Sequence, residues 1–137
     1  MDYKNCRQLK TDKLIVVEEN KKKFTLDNQN RKNVYQVKVD GCLITEGRKC
    51  DYLFEIDGIT KVYYVELKGK DISHAFKQLE STVEFCNSTH QKILRECHIV
   101  GSSSPKSSTT IQILQKKLKD KYGIKSFIHT QQAIIKC

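Results

Sequence analysis

The apolar positions switch between two periods along the chain, and each switch marks an element. Residues 14–19 open with Leu14-Ile15-Val16-Val17 and read as a strand. Phe24, Thr25 and Leu26 return as its partner after the run Lys21-Lys22-Lys23, itself a solvated turn or a phosphate contact. Residues 27–33 are rich in Asn, Arg and Lys and form a connection. Val34, Tyr35, Val37 and Val39 mark a strand reaching toward Ile44, with a break near Asp40-Gly41. Residues 50–57 and 62–67 are two more strands, joined by a turn that begins at Asp57-Gly58, so consecutive strands make an antiparallel meander. The period then lengthens. Ile72, Phe76, Leu79, Val83 and Cys86, with Ala75, recur at helical spacing behind a capping Asp71. Residues 93–100 are a strand whose apolar content predicts burial, and 101–110 are a flexible loop holding the only proline. Ile111, Leu114, Leu118 and Tyr122 mark a second amphipathic helix ending at Gly123. Residues 124–130 are a last strand before a short tail, and 1–13 are a polar lead-in. The expected fold is mixed α/β (α+β) in one domain, 1–137: a mixed central β-sheet containing the meander, flanked by helices.

Charge narrows the partners. The chain has 25 basic and 16 acidic residues, a formal charge of +9, which favours a polyanion, with nucleic acid the leading candidate. No apolar run approaches a membrane span, and the first residues lack the apolar core of a signal peptide. A soluble, cytoplasmic protein is therefore expected. The six cysteines, at 6, 42, 50, 86, 97 and 137, contain no Cys-x-x-Cys pair, so most are expected as reduced, buried small hydrophobes. Cys86, His90, Cys97 and His98 are the densest group, but their spacing fits no standard zinc pattern.

The chemistry concentrates at residues 62–69. Side chains alternate along a strand, so Tyr63, Val65 and Leu67 face one way and Tyr64, Glu66 and Lys68 the other. One tyrosine is expected in the core and the other in the cleft. The hairpin brings Asp51 near the same end of the sheet as Glu66. Two carboxylates in that position suit a divalent metal such as Mg²⁺, which takes oxygen ligands and keeps several waters. The Leu67 carbonyl is a further candidate ligand. Lys68, on the Glu66 face, is placed to orient a water and to stabilise negative charge during phosphodiester hydrolysis. Glu-x-Lys occurs twice, at Glu66/Lys68 and Glu19/Lys21, and only the first ends an apolar strand. The second reads as a charged turn. The plain alternative for Glu66/Lys68 is an exposed pair on an edge strand, worth little to stability.

Cys50-Asp51-Tyr52-Leu53-Phe54, then Tyr64-Val65-Glu66-Leu67-Lys68-Gly69, then a helix carrying Gln78, resembles the PD-(D/E)xK nuclease superfamily over residues 34–100. The resemblance implies a restriction-endonuclease-like fold and Mg²⁺-dependent cleavage of nucleic acid, usually DNA, leaving a 5′-phosphate, with Mn²⁺ able to substitute. It implies Asp51 and Glu66 as metal ligands, Lys68 as the catalytic lysine and Gln78 as a supporting residue. Cys50 stands where the pattern has proline, and Thr82 breaks the Gln-x-x-x-Tyr pattern of the exonuclease branch. For a further acid, Glu18, Glu19 and Glu46 are candidates, with Glu18 leading because it ends an apolar strand. Arg48, Lys49, Lys70, His74 and Lys77 are candidate nucleic-acid contacts. The reading is a DNA endonuclease, working as a homodimer or within a larger assembly. The alternatives are a catalytically inactive nucleic-acid-binding or adaptor domain of the same fold, or a protein-interaction scaffold.

Overall fold

A computed structural model describes residues 3–67, 71–102 and 109–137. The elements run α1 (Tyr3–Cys6), β1 (Arg7–Lys10), β2 (Leu14–Glu19), β3 (Lys22–Asp27), β4 (Val34–Lys38), β5 (Tyr52–Ile56), β6 (Lys61–Leu67), α2 (Ile72–His90), β7 (Leu94–Gly101), α3 (Thr109–Tyr122), β8 (Lys125–Thr130) and β9 (Gln132–Lys136). They form a mixed α/β protein with two mixed sheets: six strands in the order β1-β4-β5-β6-β7-β8, and three in the order β2-β3-β9. The β4-β5-β6 meander is antiparallel, and β7 and β8 then join in parallel. A parallel neighbour needs a crossover, and α2 and α3 supply it. Asp57 and Gly58 take positive φ of 47° and 69°, the left-handed geometry a tight hairpin turn requires.

Alternation along β6 builds two cores. Val62 and Tyr64 join Leu53 beneath α2, against Phe76, Leu79 and Val83. Tyr63, Val65 and Leu67 point the other way and pack with Phe54 under Ile15, Val17, Phe24 and Leu26 of the small sheet. Both tyrosines are wholly buried, so neither lines a cleft. Asp71 caps α2 as expected, its Oδ1 accepting from the His74 N–H at 2.9 Å. Gly123, at φ 70°, ends α3.

Three features depart from the expected plan. The lead-in holds β1, the tail is β9, and β2, β3 and β9 leave the central sheet to make a second one that covers its other face. β1 and β9 are edge strands with few buried side chains, so backbone pairing rather than an apolar period holds them. Cys6 and Cys42 form a disulfide, contrary to the expectation of reduced thiols, whereas Cys50, Cys86 and Cys97 are buried and free. The loop expected at 101–110 is shorter than that where described: Gly101 ends β7, α3 starts at Thr109, and 103–108 lie outside the described residues. No helix among the described residues is long and apolar enough to cross a membrane.

Each core encloses a polar network. On the helix side, the Tyr64 hydroxyl lies 2.6 Å from His90 Nδ1, and His90 Nε2 lies 2.6 Å from Glu55 Oε2. A neutral His90 that accepts from Tyr64 and donates to Glu55 satisfies the contact at both ring nitrogens. On the other side, His98 packs on Phe24, Tyr63 and Phe127, with Nδ1 3.0 Å from His129 Nε2 and Nε2 3.0 Å from Glu96 Oε1. Burial is the main force that pushes the His98 pKa down to about 4.

Two predictions follow from these networks. His90→Ala removes the side chain that joins Tyr64 to Glu55, and urea unfolding should show a loss of about 3–5 kcal/mol, whereas Asp71→Ala at the exposed cap should lose about 1 kcal/mol. Because folding lowers the His98 pKa from 6.5 to about 4, the unfolded chain binds the extra proton in that window. The contribution of His98 to stability is therefore complete above pH 6.5 and lost on acidification toward about 4, and a His98→Gln variant should show a shallower loss in pH-dependent melts.

Candidate metal centre

The site lies where β5 begins and β6 ends. The paired register ends at Tyr52–Val65, and Asp51 precedes it as Glu66 follows it, so both lie at the same end of the hairpin. The Asp51 N–H donates to the Val65 carbonyl at 3.2 Å, and the Leu67 N–H donates to Asp51 Oδ2 at 2.8 Å. Asp51 is 8% exposed and Glu66 1% exposed, so both carboxyls sit inside the fold. Both also act on the neighbouring Cys50 thiol, whose pKa is raised first by burial and then by these charges. The Leu67 N–H is the group that engages Asp51. Lys68 and Lys70 lie outside the described residues.

Of the two acids that end β2, Glu19 is the one on the side of the strand that faces Asp51. Ile15 and Val17 of β2 point inward and Glu18 points outward, where it pairs with Lys23 at 3.5 Å in solvent. Glu19, on the inward parity, lies beside the Asp51 carboxyl and the Tyr52 phenol. Its pKa is raised, chiefly by burial, then by the Asp51 charge, against a lowering pull from Lys38. The signal was present in the strand period, but Lys21 two residues on made Glu19 look like part of a charged turn. Glu46 lies in an exposed turn.

Two carboxyls set side by side favour a proton or a cation between them. Oxygen donors of this kind fit Mg²⁺, which is usually held by one or two carboxylates and keeps its waters. Among the described residues no group of three or more His, Cys, Asp or Glu side chains has metal-holding geometry. The Cys86, His90, Cys97 and His98 group makes no such centre either: the first three belong to the helix side and His98 to the opposite face.

Helix α2 braces this site from below. Gln78 Nε2 donates to the Lys49 carbonyl at 2.9 Å. The Thr82 hydroxyl accepts from the Cys50 N–H at 2.9 Å and donates to the Gln78 carbonyl at 3.1 Å. Gln78 and Thr82 thus hold the two residues before Asp51. Gln78 is half-buried and positions backbone rather than sitting free at the surface. Thr82 carried no weight in the sequence beyond breaking a pattern, yet it is fully buried.

Comparison with known protein families, with curated proteins and with solved structures finds no match for this chain. Its chemistry is therefore read from its own residues.

The expected nucleic-acid contacts are only partly supported. Arg48 and Lys77 line a groove of about 380 Å³ on the helix side that also contains Glu80 and Glu84, so it is mixed in charge and not a basic cleft. Lys117 in that groove is already paired with Glu80 at 3.3 Å. The Lys49 ammonium is turned back on its own loop, 3.1 Å from the Gly47 carbonyl. His74 is half-buried in the first turn of α2. Lys38, which the sequence did not single out, acts on the Glu19 carboxyl.

Thr82→Val keeps the shape of the side chain but strands the Cys50 N–H, and should cost about 1–3 kcal/mol in chemical unfolding. Thr82→Ser, which keeps the hydroxyl, should stay within about 1 kcal/mol of the parent.

Proposed function

We propose that this chain is a metal-dependent nuclease of the PD-(D/E)xK type that hydrolyses phosphodiester bonds of DNA, cutting endonucleolytically. The observation that carries the reading is the burial of Asp51 and Glu66 where β5 begins and β6 ends, with Asp51 held by the Leu67 N–H. Three further features support it. The meander is followed by a helix and a parallel strand, in keeping with a restriction-endonuclease-like sheet. The net charge of +9 suits a polyanion. The motif resemblance spans the same elements.

In this reading Asp51 and Glu66 hold Mg²⁺ or Mn²⁺, with Glu19 as the third acid. A bound divalent ion supplies Lewis acidity toward the phosphate and lowers the pKa of a bound water. The Leu67 N–H orients the Asp51 carboxylate, and Gln78 and Thr82 hold the backbone that delivers it. Lys68 is assigned the stabilisation of developing negative charge. A homodimer or larger assembly supplies target choice. A cytoplasmic location belongs to the same reading, and the Cys6–Cys42 disulfide counts against a strongly reducing one.

The test is cleavage of supercoiled plasmid, linear duplex and single strands with Mg²⁺ or Mn²⁺ against EDTA. Asp51→Ala, Lys68→Ala and Glu19→Gln should each lose at least about 100-fold in rate. Mg²⁺ should raise the melting temperature of the parent and leave Asp51→Ala unmoved. Salt-sensitive DNA binding without cleavage on any substrate would replace this reading with a catalytically inactive adaptor of the same fold.

A further inference from the structure

We infer that the strand to be cut reaches the carboxyls through a polar groove at the N-terminal side of the sheet, and that this groove takes a single nucleic-acid strand in preference to a duplex. The inference rests on the nuclease reading for its direction, but its binding test does not. The groove has a volume of about 410 Å³ and is lined by Asn5, Gln8, Gln36, Lys38 and Tyr52, with the Cys6–Cys42 disulfide in its wall.

Its inner end lies beside the site: Tyr52, which lines the groove, follows Asp51 in the chain and pairs with Lys38 across the β4–β5 ladder. The Lys38 ammonium lies 5.5 Å from the centre of the Tyr52 ring, which joins a phosphate-seeking cation to an aromatic platform. That combination, repeated along a groove, is how single strands are held without sequence readout. Gln8 and Gln36 stand directly across the β1–β4 ladder from each other and supply amide groups suited to base edges. The Gln36 Oε1 atom is buried and has no hydrogen-bond partner among the described residues. The volume is that of a small-ligand pocket, about 300–1,000 Å³, with room for a nucleotide or two of one strand but not for the width of a duplex. The two other grooves suit this role less well. The helix-side one carries Glu80 and Glu84, and the one at the β8 edge, beside Lys119, Lys125 and Phe127, has no lining residue next to Asp51 in the chain, as Tyr52 is here.

The experiment is fluorescence anisotropy with short labelled DNA, single-stranded and duplex, in EDTA so that no cleavage intervenes. The parent should bind the single strand more tightly than the duplex. Lys38→Ala and Gln36→Ala should weaken single-strand binding several-fold, and Tyr52→Leu roughly tenfold, the loss expected of one stacked base. Lys119→Ala and Lys125→Ala, on the opposite edge, should leave it unchanged. Melting curves of each variant separate lost binding from lost fold, and Gln36→Ala, which removes no charge, guards against a general electrostatic effect. Duplex preferred over single strand, groove variants that bind like the parent, or equal losses in the edge-lysine variants would overturn the inference. Groove-dependent binding in a protein that cuts nothing would uphold the groove and remove the nuclease reading instead.

Discussion

A strand buried on both faces has nowhere to keep a charge except at its ends, and β6 is such a strand. From Val62 to Leu67 no residue is more than 2% exposed. Helices cover one side and the small sheet the other, so the alternation of side chains that usually separates core from solvent here separates one core from another. Glu66 sits at the end of this strand, inside the protein, at the same end of the hairpin as Asp51. Carboxylates drawn out of water demand compensation. Much of the surrounding structure can be read as meeting that demand or aiming the groups that create it.

The two faces answer differently. On the helix side α2 contributes an apolar stripe, and within it Gln78, Thr82 and His90 reach the sheet through hydrogen bonds. Two of these seat the backbone just ahead of Asp51, and the third closes a buried chain from Tyr64 to Glu55. On the other side the small sheet presses Phe24 against Phe54, ring centres 5.7 Å apart, and its first strand ends by setting Glu19 against Asp51. The helix therefore governs where Asp51 is, and the small sheet governs what it faces.

Much of this was legible along the chain. β2 begins and ends where the run from Leu14 predicts, and β4, β5, β6, α2 and α3 lie on the segments that the apolar periods mark, because each buries a face large enough to leave a period. The strand alternation placed Asp51 and Glu66 at one end of the sheet. What escaped notice has no comparable signature. β1 and β9 are edge strands that add backbone bonds more than apolar contacts. The Cys6–Cys42 link joins residues 36 apart in sequence, and spacing alone does not reveal such a pairing. Glu19 and Lys38 are ordinary charges in their local context; the docking of the second sheet brings Glu19 to the site, and the β4–β5 pairing sets Lys38 beside Tyr52. Arg48 and Lys49 seemed suited to a polyanion because their neighbours in sequence are polar, whereas their neighbours in space are acids and carbonyls.

The small sheet has an order of assembly written into it. Its middle strand β3 pairs with β2 immediately before it and with β9, the last strand of the chain. The β2–β3 hairpin is local in sequence, whereas the third strand joins from far along the chain, Lys23 pairing with Gln132. Glu19 rides on this sheet. The seating of the acid beside Asp51 is thereby coupled to a contact between distant segments, and the stretch that carries Asp51 and Glu66 lies in the loop which that contact closes.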